Sequence, residues 1–417
     1  MKIRIIPMIF AIIIVSLILV QSIKAENIFK VDLQNNSVNE KVFDLKMNLL
    51  RRFCDSPSLN ACIIKNNKTV WAKSYGYSDV YKSKKATIDD IYLVGSVTKT
   101  ITATALLQLY EKGYCNLDDD VSTYLPFNLK NPKFPDVNIT LRMLLSHRSS
   151  IFDYCIFSPI GMFETLIKSD IFNDLESFLK DNLLPEGKFY NPKYWTDYEP
   201  GMKADYSNVG FFIIGYIIER ISGMSIEDYC QENIFCPLNM FNTSYHPQYL
   251  DKEKMTVPYI KKAGIYVPIP HYDAKDLAAM GGLRTNLEDL SHFLIAHMND
   301  GVYEDVVLLQ KETVELMHNC IYDNEEGALL EKDYGLGWFE CNQYGTIVAG
   351  HGGMCPGSVC FMLMNESSDT GFIFFMNKFN ILQFFQLLKC EIVAKCRDII
   401  GKLLLEKATQ FDNEEFY

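Results

Sequence analysis

The spacing of apolar residues along the chain predicts helices and strands in separate blocks. Between residues 42 and 50, valine and leucine recur every three or four positions, which is typical of an amphipathic helix. Two apolar runs follow at 61–65 and 69–77. The turn-forming sequence Asn-Asn-Lys between these runs predicts a β-hairpin.

Helical spacing dominates the middle of the chain. Gly113 ends the first of the predicted helices in this region and Gly223 ends the third. Residues 151–200 are rich in aromatic and turn-forming residues, and their pattern assigns no element. The predicted helices are 96–110, 139–145, 209–221, 226–234 and 287–298.

The last third of the chain returns to strand-like patterns. Short runs at 346–349, 358–364 and 371–376 are joined by glycine-containing turns, and a long helix is predicted at 384–405. Strands at both ends with helices between them predict an α+β fold, in which distant segments build one antiparallel sheet. Since the chain shows no internal repeat or clear linker, we expect one composite domain at 41–406.

The two ends of the chain differ from this domain. Residues 1–25 combine a basic start, an apolar run and a small residue, Ala25, which is the layout of a secretory signal peptide. The alternative is an uncleaved signal anchor, because the run approaches the length of a short membrane span. A polar segment, 26–40, follows, and residues 407–417 form an acidic tail. The sequence therefore predicts a secreted or lumenal protein, or one that is anchored by its N-terminus.

Charge and composition exclude several classes of protein. The formal charge is −12 and no basic block occurs, so nucleic acid is not an expected partner. Hydrophobic residues make up 48 %, as in globular proteins. The cysteine and histidine spacings match no zinc site, and we expect neither a metal nor a cofactor.

The chain has 12 cysteines, which in an exported protein suggests disulfides. Three close pairs could form local loops, and the alternative is that several of these cysteines are buried thiols. Five Asn-x-Ser/Thr sites are compatible with glycosylation. The pairs are Cys54–Cys62, Cys230–Cys236 and Cys355–Cys360, and the sites are Asn35, Asn67, Asn138, Asn242 and Asn365.

The first candidate chemical motif is Ser96-Val97-Thr98-Lys99, at the start of an apolar helix. This spacing places the lysine one turn after the serine on the same helical face. A lysine in a dry pocket has a lowered pKa and can accept the serine proton. A solvated helix turn has the same spacing, as at Ser177-Phe178-Leu179-Lys180, but there the surrounding sequence is polar and acidic.

The second motif is Tyr206-Ser207-Asn208, which lies between a Pro-Gly loop and an apolar helix. Tyr206 could act as a general base and return the proton to the leaving group, while Asn208 could orient the lysine or a substrate amide. A turn with a packed tyrosine and a helix-capping asparagine would give the same sequence.

The third motif is His351-Gly352-Gly353, at the end of a predicted strand. The glycines would let a substrate approach the strand edge, and the amide of Met354 could donate to an oxyanion. A hairpin turn with an exposed histidine is the alternative.

Together and in this order, the three motifs resemble the active-site triplet of the serine β-lactamases and penicillin-recognising peptidases. Tyr-x-Asn as the second element is similar to the branch of class C β-lactamases, D-peptidases and esterases. The resemblance covers residues 42–378, and it implies the fold of that family, with an antiparallel sheet flanked by helices and a mainly helical subdomain. The flanking segments that share it are 139–147, 281–285 and 334–338.

The resemblance implies a serine hydrolase that acts on an amide or ester bond of a small molecule or peptide. Ser96 would form the acyl-enzyme, Lys99 and Tyr206 would move protons, and Asn208 would position Lys99 or the substrate. His351, with Gly353 and Met354 beside it, would bind substrate. Many members have lysine where this chain has His351, and a mostly neutral histidine suits the carboxylate of a β-lactam less well. His147 is interpreted as structural.

Two other hypotheses compete with this interpretation. Gly353-Met354-Cys355-Pro356-Gly357 matches a nucleophile elbow with cysteine as the nucleophile, but Pro356 has no N–H for the oxyanion hole. The second rival is a non-catalytic binding or scaffold protein that has kept the fold. Because Ser96, Lys99 and Tyr206 are all present, an enzyme is favoured.

Overall fold

The strands form one large sheet that combines the two ends of the chain. A computed structural model describes residues 40–153, 175–273, 278–319, 333–343, 346–380 and 387–411. Residues 50–417 constitute one compact unit, and residues 1–49 are assigned to a separate one. The predicted signal segment, most of the polar segment, the sequon at Asn35 and the end of the acidic tail lie outside the described residues.

The described strands and helices follow the blocks of the sequence pattern. The strands are β1 Ser58–Lys65, β2 Lys68–Asp79, β3 Lys84–Lys85, β4 Tyr92–Leu93, β5 Tyr259–Lys262, β6 Ile265–Pro268, β7 Arg284–Thr285, β8 Val302–Tyr303, β9 Val306–Val307, β10 Asp333–Tyr334, β11 Phe339–Gln343, β12 Thr346–Cys355, β13 Ser358–Asn365 and β14 Thr370–Met376. The helices are α1 Glu40–Phe53, α2 Thr98–Glu111, α3 Leu141–Leu145, α4 Leu175–Leu183, α5 Asn208–Ser222, α6 Ile226–Cys230, α7 Ala278–Gly281, α8 Leu287–Met298, α9 Lys311–His318 and α10 Leu387–Ala408.

The large sheet has eight strands in the order β10-β11-β12-β13-β14-β1-β2-β3. All its neighbouring strands are antiparallel. The N-terminal hairpin enters beside the last strand, where Ala61 lies opposite Phe374. The predicted α+β class with one antiparallel sheet built from distant segments is therefore confirmed.

Helix α2 is buried on every side, and this burial makes it the axis around which the site is built. All its residues from Thr98 to Leu109 are buried. Thr102 donates to the carbonyl of Ala279 at 2.7 Å, which fixes α7 against this helix. A Cβ on Gly337 would lie 2.6 Å from that of Ala103, so only glycine lets this chain segment approach α2.

The structure corrects the predicted end of one strand. The pattern predicted a strand at 346–349 with His-Gly-Gly at its end, but β12 continues through these residues to Cys355. The two glycines are needed within the strand, because a Cβ on Gly352 would lie 2.5 Å from the ring of Phe361, and one on Gly353 only 1.9 Å from the carbonyl oxygen of Val94. The hairpin alternative for this motif is thus wrong.

Several predicted helices also differ in extent. The predicted helix at 226–234 divides into α6 and a π-helical turn, Gln231–Phe235. The unassigned stretch 151–200 contains α4, whose buried leucines are spaced four residues apart. Among the described helices, none is long and apolar enough by itself to cross a bilayer; α5 and Ile226–Phe235 meet the criterion only as a pair bent by 76°.

The three suggested disulfides are not formed. Cys62, Cys230, Cys236, Cys355 and Cys360 are free thiols. Cys355 lies opposite Ser358 and Cys360 opposite Gly353, so the two cysteines of the last pair are offset by two residues along neighbouring strands and are not directly opposed. The buried-thiol alternative is therefore the correct one for Cys62, Cys230, Cys355 and Cys360.

Two buried histidines occupy the core behind α2. His297 Nδ1 lies 3.3 Å from His318 Nε2, and its Nε2 lies 3.2 Å from the Thr104 hydroxyl. Both rings lie 4.5 Å from the ring of Trp338. Burial, and then the neighbouring His318, hold the pKa of His297 well below its usual 6.5.

This histidine pair predicts acid sensitivity. In the unfolded chain His297 binds a proton below its ordinary pKa of 6.5, whereas the folded protein keeps it neutral, so the free energy of unfolding falls as the pH drops below that value. We expect the melting temperature of His297→Gln to fall less between pH 7 and pH 5 than that of the wild type. It should also destabilise the protein at pH 7 by about 1–3 kcal/mol through lost hydrogen bonds.

The matched control is His292→Gln, since His292 lies on helix α8, as His297 does, but is only partly buried. The control should keep the pH dependence of the wild type. The test is the melting temperature of the three proteins, measured across this pH range. If the melting temperatures of His297→Gln and wild type changed equally with pH, His297 would not be the source of the acid sensitivity.

Candidate active site

Ser96 lies in a 3₁₀ turn, Gly95–Val97, that leads directly into α2. Gly95 has φ +55°, and a Cβ there would lie 3.1 Å from the amide nitrogen of Met354, so this turn requires glycine. The Thr98 hydroxyl donates to the Gly95 carbonyl at 2.6 Å and fixes the turn to the helix. Ser96 is only partly buried, whereas Gly95 and Val97 on either side of it are buried.

Lys99 is completely buried beneath this serine. Its Nζ donates to three oxygens: Ser96 Oγ at 3.2 Å, Asn208 Oδ1 at 2.7 Å and the carbonyl of Met280 at 2.6 Å. Burial lowers the pKa of Lys99 to about 7, while the charge of Asp153 acts in the opposite direction. Near neutral pH this amine can therefore both accept and donate a proton.

Tyr206 lies over the same amine, with the Lys99 Nζ 5.1 Å from its ring centre. Its hydroxyl forms a hydrogen bond with Ser96, but desolvation dominates and raises the pKa of Tyr206 well above 10. The tyrosine is thus held as a phenol, which makes it a proton donor and disfavours the predicted role as a general base.

His147 supports Tyr206 from behind. The two rings are 4.3 Å apart, and His147 Nδ1 accepts the backbone N–H of Ser207 at 3.1 Å. Burial, followed by the charges of Lys99 and His351, holds the pKa of His147 well below 6.5. A neutral ring that accepts at Nδ1 carries its proton on Nε2, and among the described residues this buried atom has no hydrogen-bond partner.

Asn208 begins helix α5 and is fixed by a carboxylate that the sequence analysis did not identify. Asp153 accepts the Asn208 backbone N–H and side-chain amide, each at 2.7 Å. It also accepts the Val209 N–H at 3.0 Å and the Ser207 hydroxyl at 3.1 Å. Asn208 thus connects this buried carboxylate to Lys99.

The third motif lies on β12 beside the serine turn. A Cβ on Gly353 would lie 3.0 Å from the Ser96 backbone nitrogen, which places this strand against the turn. The His351 ring lies 6.3 Å from that of Tyr206 and its Nδ1 lies 2.8 Å from the Gly352 carbonyl oxygen. The structure thus brings together every predicted site residue: Ser96, Lys99, Tyr206, Asn208, His351, Gly353 and Met354.

The two rival serine and cysteine motifs do not share this environment. Lys180 of the second Ser-x-x-Lys copy donates to Glu176 at 2.5 Å on the partly exposed helix α4. Cys355 is buried, and burial raises the pKa of its thiol to about 12. Among the described residues, no group of three or more His, Cys, Asp or Glu could hold a metal ion.

Sequence reasoning missed Asp153 and the Met280 carbonyl, and it gave His147 only a structural role. An isolated acidic residue after the apolar pair Ile151-Phe152 was a weak signal that a carboxylate is buried there. A main-chain carbonyl such as that of Met280 has no signature in the sequence at all.

The chain also matches a known family of proteins. The sequence model of the beta-lactamase family matches residues 48–389. That span is most of the chain, and the protein therefore belongs to the beta-lactamase family. The family resemblance and the β-lactamase/transpeptidase-like fold expected from the motifs are confirmed.

Individual relatives are distant. Protein flp of Staphylococcus aureus is 26 % identical over 323 residues, which is 77 % of this chain but 59 % of that protein. A putative D-alanyl-D-alanine carboxypeptidase of Escherichia coli is 26 % identical over 68 % of each chain. The match thus spans about three-fifths of the length of protein flp.

Solved structures share the fold over most of the chain. The octameric penicillin-binding protein homologue from Pyrococcus abyssi has a TM-score of 0.69 at 25 % identity, covering 82 % of this chain and 74 % of that one. A D-amino acid amidase from Ochrobactrum anthropi has a TM-score of 0.65 at 20 % identity, covering 88 % and 99 %.

The geometry of Lys99 predicts a specific pH dependence. Because its pKa is lowered to about 7, the amine becomes neutral above that pH, and acylation of Ser96 by a fluorophosphonate probe should rise through this region to a plateau. Replacing the base should slow acylation by about 10²-fold or more, and Lys99→Met tests this expectation.

Lys99→Arg is the matched control for charge, since arginine keeps the cation but cannot lose its proton. Equal losses in the two variants identify Lys99 as a base. Retained acylation in Lys99→Arg would show instead that the positive charge alone matters.

Proposed function

We propose that this protein is a serine hydrolase that forms an acyl-enzyme on Ser96 from an amide or ester substrate. The observation that carries the proposal is the contact between the Ser96 hydroxyl and a fully buried lysine amine, 3.2 Å apart. A buried amine with a lowered pKa activates a serine hydroxyl as a nucleophile. Membership of a family with hydrolase members supports the same class.

In the proposed reaction, Ser96 Oγ bonds to the carbonyl carbon of the substrate while Lys99 Nζ takes the hydroxyl proton. The bond to the leaving alcohol or amine then breaks, and that group receives a proton from Lys99 through the Tyr206 phenol, which Lys99 replenishes. Water repeats the sequence on the acyl-enzyme and releases the acid. Asn208 and the Met280 carbonyl hold the ammonium formed in the first step.

The developing oxyanion would be stabilised by two backbone amides, those of Ser96 and Met354. The two segments that carry these amides lie close together at Gly353 and Gly95. A Cβ on Gly353 would lie 3.0 Å from the Ser96 nitrogen, and one on Gly95 would lie 3.1 Å from the Met354 nitrogen. Fixed amide donors stabilise charge that develops in the transition state better than water does, because they need not reorient.

The substrate class we propose is a small amide or ester without an essential carboxylate. His351 stands where many family members have a permanent cation, and its ring is packed beside aromatic residues. Two similar structures are described as a D-amino acid amidase and a D-stereospecific amidohydrolase. Their substrates are consistent with amide hydrolysis here.

The central prediction concerns labelling and turnover. Ser96 should be labelled by a fluorophosphonate, and p-nitrophenyl esters should be hydrolysed faster than nitrocefin. Ser96→Ala should abolish both labelling and turnover, because no other group described in the cleft can replace the nucleophile. Labelling measured by mass spectrometry and turnover measured by absorbance provide the two readouts.

Ser177→Ala is the control, because it alters the second Ser-x-x-Lys copy and should leave both readouts unchanged. If no acylating probe labels the wild type, the alternative of a non-catalytic binding or scaffold protein is favoured. Efficient nitrocefin hydrolysis with inert esters would overturn the proposed substrate class.

A second prediction follows from the residue at 351. His351→Lys should raise kcat/KM for nitrocefin relative to a neutral ester by about tenfold, because a permanent cation forms a charge-assisted hydrogen bond with the β-lactam carboxylate. His351→Gln keeps a neutral donor and should leave the ratio of the two rates unchanged. An unaltered ratio in His351→Lys would show that position 351 does not select for a carboxylate.

A further inference from the structure

The buried carboxylate of Asp153 has a hydrogen-bond pattern that suggests more than a structural role. Asp153 is completely buried, and its two oxygens accept four hydrogen bonds from Ser207, Asn208 and Val209. Burial raises the pKa of Asp153, whereas the hydrogen bonds from Val209 and Asn208 and the charge of Lys99 lower it. Because all four partners are donors, the geometry favours the ionised carboxylate. Two of the four are backbone amides at the start of α5, so part of this role is to cap the helix.

The contact between Asp153 and the side chain of Asn208 connects the carboxylate to the proposed catalytic lysine, Lys99. An asparagine amide has one end that donates and one that accepts. Here the carboxylate of Asp153 can only accept, so it must face the NH₂ of Asn208. The amide oxygen then points to Lys99 Nζ, 2.7 Å away.

We propose that Asp153 is a positioning residue for the Ser96 reaction, which acts through Asn208 to fix the place of the Lys99 amine and to favour its protonated form. The inference rests on the proposed function, because it concerns the step in which Lys99 takes the serine proton. A carboxylate connected through one amide stabilises the ammonium formed in that step without touching substrate.

Other titratable groups around Lys99 do not replace this carboxylate. Tyr206 faces the amine from the loop before α5, and His147 from the turn after α3. His351 lies behind these two on β12, and Tyr334 packs against Tyr206 and His147 from β10. These four groups carry no negative charge at neutral pH, whereas the charge of Asp153 raises the pKa of Lys99 against the effect of burial.

The chain contains a second buried carboxylate of similar design that is not connected to Lys99. Asp289 lies in the first turn of α8 and accepts the backbone N–H of Asn242 at 2.6 Å and the Thr243 hydroxyl at 2.8 Å. It is almost fully buried, as Asp153 is. Asp289→Asn therefore controls for the loss of a buried, hydrogen-bonded carboxylate as such.

The experiment measures fluorophosphonate acylation of Ser96 against pH in wild type, Asp153→Asn and Asp289→Asn, with rates normalised to folded protein by circular dichroism. In Asp153→Asn the charge is lost, and the new amide lets Asn208 turn its NH₂ towards Lys99. We expect the rise of the pH profile to move to lower pH, because the ammonium is less stable. The plateau should fall at least tenfold, because the weaker and misplaced base transfers the proton less well.

Asp289→Asn should keep the pH midpoint of the wild type, even if its melting temperature falls. An unshifted midpoint in a folded Asp153→Asn would overturn the proposal, since a helix cap alone cannot move the titration of Lys99. Asp153→Ser, which is smaller and uncharged, provides a second variant with the same expected shift. If both Asp153 variants fail to fold while Asp289→Asn folds, the role is structural and the proposal is wrong.

A double variant tests whether the effect passes through Asn208. In an Asn208→Ala background, Asp153→Asn should change the plateau less than it does in the wild type, because the connecting amide is already absent. Full additivity would contradict the connection. Failure of the proposed function is distinguishable from failure of this inference: the former leaves wild-type Ser96 unlabelled, whereas the latter leaves wild type labelled and the pH midpoint of the Asp153 variants unmoved.

Discussion

The arrangement of this protein depends on keeping one lysine amine out of water. An ammonium ion in a packed interior is unstable unless oxygens replace its hydration shell, and burial lowers the pKa of Lys99 to about 7. The three acceptors around it come from the serine turn, from the start of α5 and from the end of α7. A helix buried on all sides is what brings three such distant segments to one atom.

Part of this arrangement could be predicted from the sequence, because it depends on local patterns. Helix and strand blocks were recognisable because each has a continuous apolar face; α5, for example, begins at Asn208 and ends before Gly223, close to its predicted bounds. The site residues were recognisable because three short motifs with demanding chemistry occurred in the order of a known family. Local patterns of this kind can be recognised in a single sequence.

What the sequence could not supply are contacts made by groups without a local pattern. The Met280 carbonyl bonds to Lys99 only because α7 packs on α2, and any residue type could have provided that oxygen. The continuation of β12 through two glycines depends on Phe361 and Val94, which are distant in the chain or on another element. Glycine pairs usually suggest a turn, and here tertiary packing overrides that local preference.

The residues of this site differ in how strongly their contacts fix them. Ser96, Lys99 and Asn208 hold one another through side-chain hydrogen bonds, so replacing any of them leaves a buried polar group unsatisfied. Position 351 is different, because the backbone of β12 pairs with β13 whatever side chain stands there. Under the proposed function, a change at this position alters the charge beside Tyr206 without breaking the hydrogen bonds among Ser96, Lys99 and Asn208. Divergence of substrate class within this fold is therefore expected at the strand rather than at the buried amine.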